Sequence, residues 1–581
     1  MIQHGYQGLK YKWRWREYSH DQQAEIAALA GRLNLNPMLL EVLYGRGHTS
    51  YEELSSFLFT PDTASHDPAL LKDGTKAVER ILRAIEHKEK ILIAGDYDVD
   101  GITSTAVMMT CLLALGAQIN FFLPHRTRNG YGLSAEVVEK AVSNSYSLII
   151  TVDNGITAFD AIKKSTQLGI DVIVTDHHQV HGEISGAYAI VNPCQESCGY
   201  PYKSLAGVGV SFKLMDLLYK TIGQTLPRRV YELLALGTVA DVVPLHGENR
   251  YWVRRGLHLL RQEQCLAIRV LAENAGLDCR VLGSTDIGFS LAPQLNALGR
   301  LEDPRSSISF LLGSDEALVR EFGLKLKDLN IKRRAIEKTV VDDVESYVKS
   351  GAIDLDSTYV IVADSENWPA GVVGLAASRI VSLFARPVIL LHRTSDGKLK
   401  GSCRSIPEFN IFDGLKETAD MLSSFGGHSH AAGLSFEQSR YDEFKERINA
   451  YAKSKLTKDD LVLKLDVDAH GCLGDFTDRF MDGMKYLEPF GSTNPEPTFM
   501  LKGLVLLDTP KIMKDVHVKC FVGGQDGAKR TILFFNRPDV ISFFNNMGRG
   551  SLFNAVVSVR DNYFRSEHTL QVQGIDVGFD V

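Results

Sequence analysis

The chain of 581 residues is poor in cysteine, and it has no long apolar run. Only two of its 8 cysteines, Cys194 and Cys198, lie near each other, and no second pair accompanies them. Ordinary reduced thiols are therefore favoured over a structural zinc site. No window approaches the roughly 20 apolar residues of a membrane span, and the first residues lack the apolar core of a signal peptide. These absences predict a cytoplasmic protein with no membrane partner.

An excess of positive charge is also missing. Lys and Arg number 64 against 71 for Asp and Glu, so the formal net charge is -7. Overall charge therefore gives no sign of nucleic-acid binding, and any basic site must be local. One basic, aromatic stretch spans residues 10–16, with the sequence KYKWRWR. Its alternation favours an edge strand over the other interpretation, a platform on which nucleotides stack.

Apolar runs that alternate with helical patterns predict a doubly wound α/β domain over residues 76–311. The runs ILIA (91–94), LIITV (148–152) and VIVT (172–175) are typical of buried parallel strands. A helical pattern covers residues 102–116, where Thr103, Ser104 and Thr105 are candidate capping residues. In such folds, sites form beyond the carboxyl ends of the strands.

Four other regions complete the chain, consistent with the several domains that its length predicts. Residues 1–75 are expected to form an N-terminal extension, and the charged amphipathic run over 312–350 predicts a long connecting helix. A second, smaller α/β domain is predicted over 351–457, from the runs YVIVAD and PVILL. Short strands with turns over 458–581 are typical of a small β-barrel.

Acidic and imidazole side chains follow each predicted strand of the first α/β domain. Because the carboxyl ends of parallel strands meet at one edge of the sheet, these side chains are expected to converge. Crowded carboxylates require neutralising cations, and oxygen ligands with an imidazole favour Mn²⁺ or Mg²⁺ over zinc. The strand-end residues are Asp96, Asp98 and Asp100 in GDYDVDG, Asp153 in TVDNG, and His177 and His178 in TDHH. Asp241 in GTVADVVPL is predicted to end a helical segment with apolar flanks and to join them, which gives enough ligands for two ions.

Two divalent cations that share a carboxylate activate a water and neutralise a leaving oxygen, so phosphoryl hydrolysis is the predicted reaction. Each motif alone has another interpretation. D-x-D-x-D-G resembles half of a calcium loop, and a His-His pair at a strand end is often merely packed. GVGV (207–210) suggests a dinucleotide loop, but no convincing strand precedes it, so helix packing is favoured.

GDYDVDG, TVDNGI, TDHH and GTVADVVPL together resemble the signature motifs of the DHH phosphoesterase superfamily. Further motifs are similar to those of its RecJ family, bacterial exonucleases that degrade single-stranded DNA from 5' to 3'. The resemblance spans roughly residues 70–500 in order. It implies a DHH domain, a DHH-associated substrate-binding domain and a C-terminal OB-like domain, with mononucleotides as products and a role in DNA recombination and repair. The further motifs are PHRTRNGYGLS, KSLAGVGVSFKL, LAPQLNALGR, GVVGLAASRI, LKGSCRS and GGHSHAAG.

The resemblance also implies roles for the clustered residues. Asp153 would bridge two Mn²⁺ or Mg²⁺ ions. Asp100, His177 and Asp241 would complete one ion's ligands, while Asp98 would bind the other ion and Asp96 would ligate or orient nearby. His178 would face the scissile phosphate or support a ligand. The predicted catalytic residues are Asp98, Asp100, Asp153, His177, His178 and Asp241.

A terminal phosphate is recognised by a guanidinium with hydroxyl or backbone donors beside it. By resemblance, Ser402, Arg404 and Ser405 in GSCRS would bind the 5' phosphate. The other predicted substrate contacts are Arg126, Asn296, Arg300, Arg379 and His428. The predicted partners are single-stranded DNA with a 5' end, a helicase and a single-strand-binding protein.

Three positions depart from the family pattern. Gln294 replaces the usual arginine, Pro369 a histidine and Thr493 a glycine. The alternative function is a DHH phosphodiesterase for short oligoribonucleotides or cyclic dinucleotides, which is disfavoured because such enzymes generally lack the C-terminal barrel. A non-catalytic scaffold is disfavoured because every metal ligand is present. A pyrophosphatase is disfavoured because its small substrate requires no nucleic-acid module.

Overall fold

The computed structural model describes residues 2–125, 132–180, 186–564 and 567–579. The chain divides into two compact units. One unit contains Met1–Leu58, Ile336–Leu487 and Glu496–Val581, and the other contains Phe59–Ala335 and Glu488–Pro495. We call the first the binding unit and the second the metal unit.

The binding unit begins with a β-hairpin. Strand β2 (Lys12–Glu17) lies between β1 (Ile2–Gln7) and a later strand, β13 (Lys464–Asp466), in a three-stranded sheet. The predicted edge strand is therefore wrong, because β2 pairs on both sides. Trp13 is fully buried and its Nε1 donates to Asp576 over 2.8 Å, so this ring belongs to the core and not to a stacking platform. The first elements are β1 Ile2–Gln7, β2 Lys12–Glu17, α1 His20–Leu33, α2 Pro37–Gly45 and α3 Tyr51–Phe59.

Helices α1 and α2 are the only candidates for a membrane span within the described ranges. No single helix there is long and apolar enough to cross a membrane. Together the two pass by length and composition, but they are bent by 116° at their break.

The metal unit is built on a five-stranded parallel sheet in the order β4-β3-β5-β6-β7. The three predicted apolar runs lie in β3, β5 and β6, so the doubly wound α/β fold is confirmed. The elements are α4 Gly74–Glu86, β3 Lys90–Ala94, α5 Val99–Ala114, β4 Gln118–Phe122, α6 Ala135–Ser143, β5 Tyr146–Val152, α7 Phe159–Leu168, β6 Asp171–Thr175 and β7 Ala189–Val191.

Helix α5 begins earlier than its apolar pattern predicts. Asp98 is the N-cap, and its side chain accepts a hydrogen bond from Gly101 N. The predicted caps Thr103, Ser104 and Thr105 are wrong, because they lie inside the helix. The hydroxyls of Thr103 and Thr105 instead donate to backbone carbonyls four residues earlier. These hydrogen bonds satisfy the buried hydroxyls but do not pair with the free N–H groups at the helix N-terminus.

A helical layer follows the sheet, and α5, α8 and α9 contribute buried side chains to one core with the strands. Helix α9 ends at Ala240 with Asp241 as its C-cap, as the sequence predicts. The helices are α8 Gly207–Thr221, α9 Arg229–Ala240, α10 Gly247–Gln262, α11 Leu266–Ala275, α12 Ser284–Asp286, α13 Ala292–Leu301 and α14 Ser306–Leu312. A π-helix, Ile287–Leu291, joins α12 to α13.

The predicted connecting helix is α15, Glu316–Lys349, whose 34 residues span about 51 Å. It leads to a sheet in the order β11-β12-β10-β9-β8, in which only β8 and β9 are parallel. The smaller α/β domain is confirmed, with a mixed sheet. Its elements are β8 Ile361–Ser365, α16 Ala370–Phe384, β9 Val388–Arg393, β10 Lys398–Arg404, α17 Ile411–Glu417, β11 Ser424–Gly427, β12 Ala431–Glu437 and α18 Tyr441–Lys455.

The predicted C-terminal barrel is also confirmed. The sheet order is β14-β15-β19-β20-β18-β17-β16, and β15 pairs with β17 as well, which closes five strands into a barrel. The elements are β13 Lys464–Asp466, β14 Ala469–Gly471, α19 Asp478–Leu487, β15 Phe499–Leu506, β16 Lys511–Met513, β17 His517–Gly523, β18 Lys529–Phe534, α20 Pro538–Asn545, β19 Leu552–Phe564 and β20 Glu567–Phe579.

Candidate metal centre

The carboxyl ends of β3, β5 and β6 bring the predicted acidic and imidazole side chains together in the metal unit. His177 Nε2 lies 3.2 Å from Asp153 Oδ1, 3.7 Å from Asp241 Oδ2 and 3.8 Å from Asp100 Oδ2. Three groups offer ligand atoms within 4.8 Å of one another: Asp100, His177 and Asp241; Asp96, Asp98 and Asp153; and Asp153, His177 and His178. All seven predicted residues therefore belong to one cluster.

The N-terminus of α8 holds Asp100 in this cluster. Gly207 N and Val208 N donate to the two carboxylate oxygens of Asp100 over 2.6 and 2.7 Å. A helix N-terminus presents free N–H groups and partial positive charge, which suit a buried carboxylate. The GVGV segment therefore packs as a helix, as predicted, but it also orients a site residue, a role that sequence reasoning missed.

Two glycines let backbone segments approach the acids closely. A Cβ atom built on Gly207 would lie 2.6 Å from Asp153 Oδ1, and one on Gly101 would lie 2.7 Å from Asp96 Cα. Asp153 itself adopts a left-handed backbone with φ of 60°. Its N–H donates to Thr175 O over 3.1 Å, which continues the pairing of β5 with β6 past the end of the strand.

Asp176 belongs to the TDHH motif, but the sequence reasoning assigned it no role. It is buried, and its carboxylate accepts hydrogen bonds from Ile156 N and from the N–H groups of His177 and His178. It also lies 2.7 Å from His178 Nδ1. Burial opposes the charged form of Asp176, but these hydrogen bonds outweigh it and lower the pKa of Asp176. The same pairing outweighs burial at His178 and raises the pKa of that imidazole. A carboxylate directly before two histidines was the available signal.

Burial and mutual repulsion disfavour the charged forms of the central acids. Burial, and then the charge of Asp98, raise the pKa of Asp100 to about 7. Burial, and then the charge of Asp100, hold the pKa values of Asp153 and Asp241 well above the ordinary aspartate value. Burial lowers the pKa of His177 to about 4, so its imidazole is neutral and able to ligate a cation.

The donor set fits divalent cations. His177 Nε2 and Asp241 Oδ2 are buried, and neither atom has a hydrogen-bond partner among the residues that the structure describes. Buried polar atoms are normally paired, so ligand atoms aimed into an acidic cluster indicate a place for cations. Five carboxylates and a neutral imidazole, with no thiolate, match Mn²⁺ or Mg²⁺.

Helix α13 carries two of the predicted substrate contacts, Asn296 and Arg300. Asn296 Oδ1 accepts a hydrogen bond from Val99 N over 3.2 Å, so this side chain supports the turn that carries Asp98. Arg300 is half-buried one helical turn further along. Gln294, which departs from the family pattern, is buried and donates to Leu271 O and Ser290 O, each over 2.9 Å. It therefore stabilises helix packing.

The predicted phosphate-binding residues lie in the binding unit. Arg404 Nη1 donates to Ser402 Oγ over 2.9 Å, and a Cβ atom built on Gly374 of α16 would lie 2.9 Å from that hydroxyl oxygen. Ser405 N donates to His430 O, which joins the end of β10 to the turn that carries His428. Ser402, Arg404, Ser405 and His428 therefore share one end of the mixed sheet.

The remaining predicted residues have simpler surroundings. Arg379 is exposed on α16, and Arg126 lies outside the described residues. Pro369 is the N-cap residue of α16, and Thr493 has a left-handed backbone with φ of 63°.

The neighbouring cysteines Cys194 and Cys198 make hydrogen bonds to the backbone. Cys194 Sγ donates to His177 O and Lys203 O, and Cys198 Sγ accepts from Lys72 N.

Family models match three consecutive regions of the chain. The DHH family, N-terminal domain, matches residues 90–238, the DHHA1 domain matches 357–454 and the RecJ OB domain matches 467–576. Relatives named single-stranded-DNA-specific exonuclease RecJ are similar over most of the chain. The Bacillus subtilis protein is 39% identical over 88% of this chain and 64% of its own length, just under two thirds. The Dickeya dadantii protein is 36% identical over 84% and 87%.

Solved structures show the same likeness. RecJ from Thermus thermophilus in complex with Mn²⁺ matches 97% of this chain and 79% of that chain, with a TM-score of 0.80 and 26% identity. The same protein in complex with Mg²⁺ has a TM-score of 0.75 and 25% identity, over 98% and 78%. The domain order, the length of the sequence match and the likeness to metal-bound structures agree, and this chain belongs to the RecJ family of the DHH superfamily.

Proposed function

We propose that this chain is a 5'-to-3' exonuclease specific for single-stranded DNA, which it hydrolyses to mononucleotides with two divalent cations in DNA recombination and repair. The observation that carries the proposal is the position of Asp153. Its carboxylate belongs both to a group with Asp96 and Asp98 and to a group with His177 and His178. A carboxylate shared in this way suits a bridging ligand between two ions.

The ligand assignment follows the three groups. Asp153 would bridge, Asp100, His177 and Asp241 would hold one ion, and Asp98 with Asp96 would hold the other. Bound cations would lower the pKa of an attacking water and neutralise charge on the phosphate. Asp176 fixes the ring of His178, whose raised pKa suits donation of a hydrogen bond to a phosphate oxygen.

Recognition of the 5' end is assigned to the binding unit. Arg404 offers a guanidinium beside the hydroxyl of Ser402, and Ser405 and His428 lie at the same end of the sheet. A guanidinium with neighbouring donors suits a terminal phosphate, which carries more charge than a phosphodiester. Arg126, Asn296, Arg300 and Arg379 remain proposed substrate contacts.

The partners and the location are part of the same proposal. Single-stranded DNA with a 5' end is the proposed substrate, and a helicase that unwinds duplex and a single-strand-binding protein are proposed partners. The relatives come from bacteria, in which DNA lies in the cytoplasm, so we assign this chain to that compartment.

A digestion experiment tests the proposed function. Single-stranded DNA with a 5' phosphate, labelled at either end, is incubated with Mn²⁺ or Mg²⁺ and the products are resolved over time. We expect immediate release of mononucleotides from the 5' end, and no comparable digestion of blunt duplex. Asp153→Asn is the matched control, because it keeps the size of the side chain but removes the proposed bridging charge. It should lower the rate by at least about 10³-fold.

The same experiment distinguishes the alternative function. If long DNA survived while di- to pentaribonucleotides were consumed, the chain would be a phosphodiesterase for short oligonucleotides. The barrel argues against this outcome, because a compact substrate would not extend to a separate nucleic-acid-binding module.

A further inference from the structure

Phe289 and Val242 expose large apolar side chains on two segments that adjoin α9, the helix whose C-cap Asp241 belongs to the metal centre. Phe289 is 76% exposed, the highest fraction for a large apolar side chain within the described ranges, and Val242 is 68% exposed. Single apolar residues on a surface are common and carry no meaning by themselves. These two are distinguished by their place, because Val242 follows Asp241 in the chain and the π-helix that carries Phe289 packs against the last turn of α9.

The contacts of α9 define that place. Val242 follows Asp241 directly in the chain, and its N–H donates to Val239 O. Phe289 lies in the π-helix, which packs against the same turn: a Cβ atom built on Gly288 would be 3.7 Å from Val239 Cγ1. Val242 therefore adjoins a residue of the metal centre, and the π-helix that carries Phe289 packs against the same turn of α9.

The backbone at both residues departs from regular structure. π-helices are rare and occur frequently at functional sites. Val242 has φ of 60°, a left-handed conformation that is unfavourable for a β-branched residue. Unusual backbone at two exposed apolar residues beside one site indicates that their exposure is maintained by the fold.

The segment that carries Phe289 also contacts the other side of the metal centre. Asn296, on α13, accepts the hydrogen bond from Val99 N, and a Cβ atom built on Gly299 would lie 2.6 Å from Tyr97 O. Both contacts are to residues that flank Asp98. The π-helix and α13 together therefore contact the segment that carries Asp241 and the segment that carries Asp98, which are assigned to different ions.

We infer that Phe289, with Val242, forms a stacking surface for a nucleobase of the strand that is bound at the metal centre. This inference rests on the proposed function. A base covers an aromatic ring with its π-face and keeps its polar edges in water, and every base has such a face, so the surface would not select sequence. Two side chains are too small an area for a protein interface.

The first test measures binding without cleavage. Oligonucleotides carrying 2-aminopurine at successive positions near the 5' end are bound to the full-length protein in EDTA. We expect fluorescence quenching at one position, lost in Phe289→Ala and restored in Phe289→Trp. Leu113→Ala is the control, because this exposed residue lies about 20 Å along α5 from Asp98 and should behave as the unchanged protein. Equal quenching in Phe289→Ala and the unchanged protein would overturn the inference.

The second test separates stacking from a structural role. Phe289→Ala should lower kcat/KM on single-stranded DNA by about 5- to 100-fold. An abasic site at the position found by quenching should impair the unchanged protein similarly, but should add little to the defect of Phe289→Ala. Bis(p-nitrophenyl) phosphate, which has no base, should be hydrolysed equally by both. Independent, multiplying defects would contradict stacking. Failure of the unchanged protein to cleave DNA would refute the proposed function, while the quenching test would still decide this inference.

Discussion

Gly207 packs directly against Asp153: a Cβ atom at Gly207 would lie 2.6 Å from the Asp153 carboxylate oxygen Oδ1. The same glycine donates its N–H to Asp100 over 2.6 Å. One residue without a side chain therefore positions two carboxylates of the metal centre, one by a hydrogen bond and one by leaving room for it.

Gly207→Ala should therefore impair the metal centre. The added methyl group cannot be accommodated unless Asp153 or the start of α8 moves, and displacement of about 1 Å can lower a catalytic rate about 10²-fold. We expect a comparable loss of metal-dependent nuclease activity, measured as initial rate against Mn²⁺ concentration. Gly31→Ala is the control, because a Cβ atom there meets nothing within 4 Å. Unchanged activity and metal dependence in Gly207→Ala would contradict the close contact.

Arg404→Ala should mainly affect recognition of the 5' end. A hydrogen bond to a charged group contributes about 1.5–3 kcal/mol, so the preference for a 5'-phosphorylated over a 5'-hydroxyl oligonucleotide should fall about 10- to 100-fold. The measurement is kcat/KM on the two substrates. Arg393→Ala is the control, because Arg393 is paired with Asp364 and lies on β9 opposite Leu399, near the end of β10 that is remote from Arg404. An unchanged ratio would remove Arg404 from the end-binding site.

Metal affinity should rise with pH. The pKa of Asp100 is raised to about 7, so below that pH the metal-free cluster holds a proton that a cation must displace. Affinity for Mn²⁺ should increase by at least about tenfold per pH unit as pH rises toward 7, because Asp153 and Asp241 also retain protons there. Calorimetric titration at several pH values measures this, with Asp303→Asn as an exposed control. A flat profile below pH 7 would argue against protonation of the cluster.

The same pKa values predict the stability of the metal-free protein. A carboxyl group whose folded pKa is raised retains its proton in the folded state where the unfolded chain has lost it. Folding is therefore favoured at low pH, and this contribution is lost as pH rises from about 4 through about 7. Mn²⁺ should consequently increase the Tm more at about pH 8 than at about pH 5. An equal increase at both values would be contrary to this linkage.

Thr493→Gly should stabilise the metal unit. Thr493 adopts φ of 63°, a conformation that costs a residue with a Cβ atom about 1 kcal/mol and costs glycine almost nothing. The Tm should rise by about 2 °C without a change in nuclease activity. Thr493→Ala keeps a Cβ atom in the left-handed region and should gain less than the glycine variant. A lower Tm for Thr493→Gly would show that the threonine side chain contributes more than its backbone costs.

The amino-acid sequence by itself determined the chemistry and the order of the domains. Strand-end acids such as Asp98 and Asp153 are recognisable because a parallel sheet brings its carboxyl ends to one edge, whatever the length of the connections. The strand runs of β3, β5 and β6 and the long helix α15 follow from apolar periodicity, which is a local property of the chain.

Tertiary structure alone decided the contacts between distant segments. The start of α8 holds Asp100 across 107 residues of sequence. Trp13 is buried, and Asp576, 563 residues away in sequence, accepts the hydrogen bond from its indole N–H. No local pattern encodes either pairing, so Gly207 resembled a simple packing glycine and residues 10–16 resembled an edge strand. The start of α5 was likewise misplaced, because the carboxylate of Asp98 caps the helix before its apolar pattern begins. The apolar periodicity of a segment predicts which face of a helix or strand is buried, whereas the packing of the whole chain determines which distant residues contact that face.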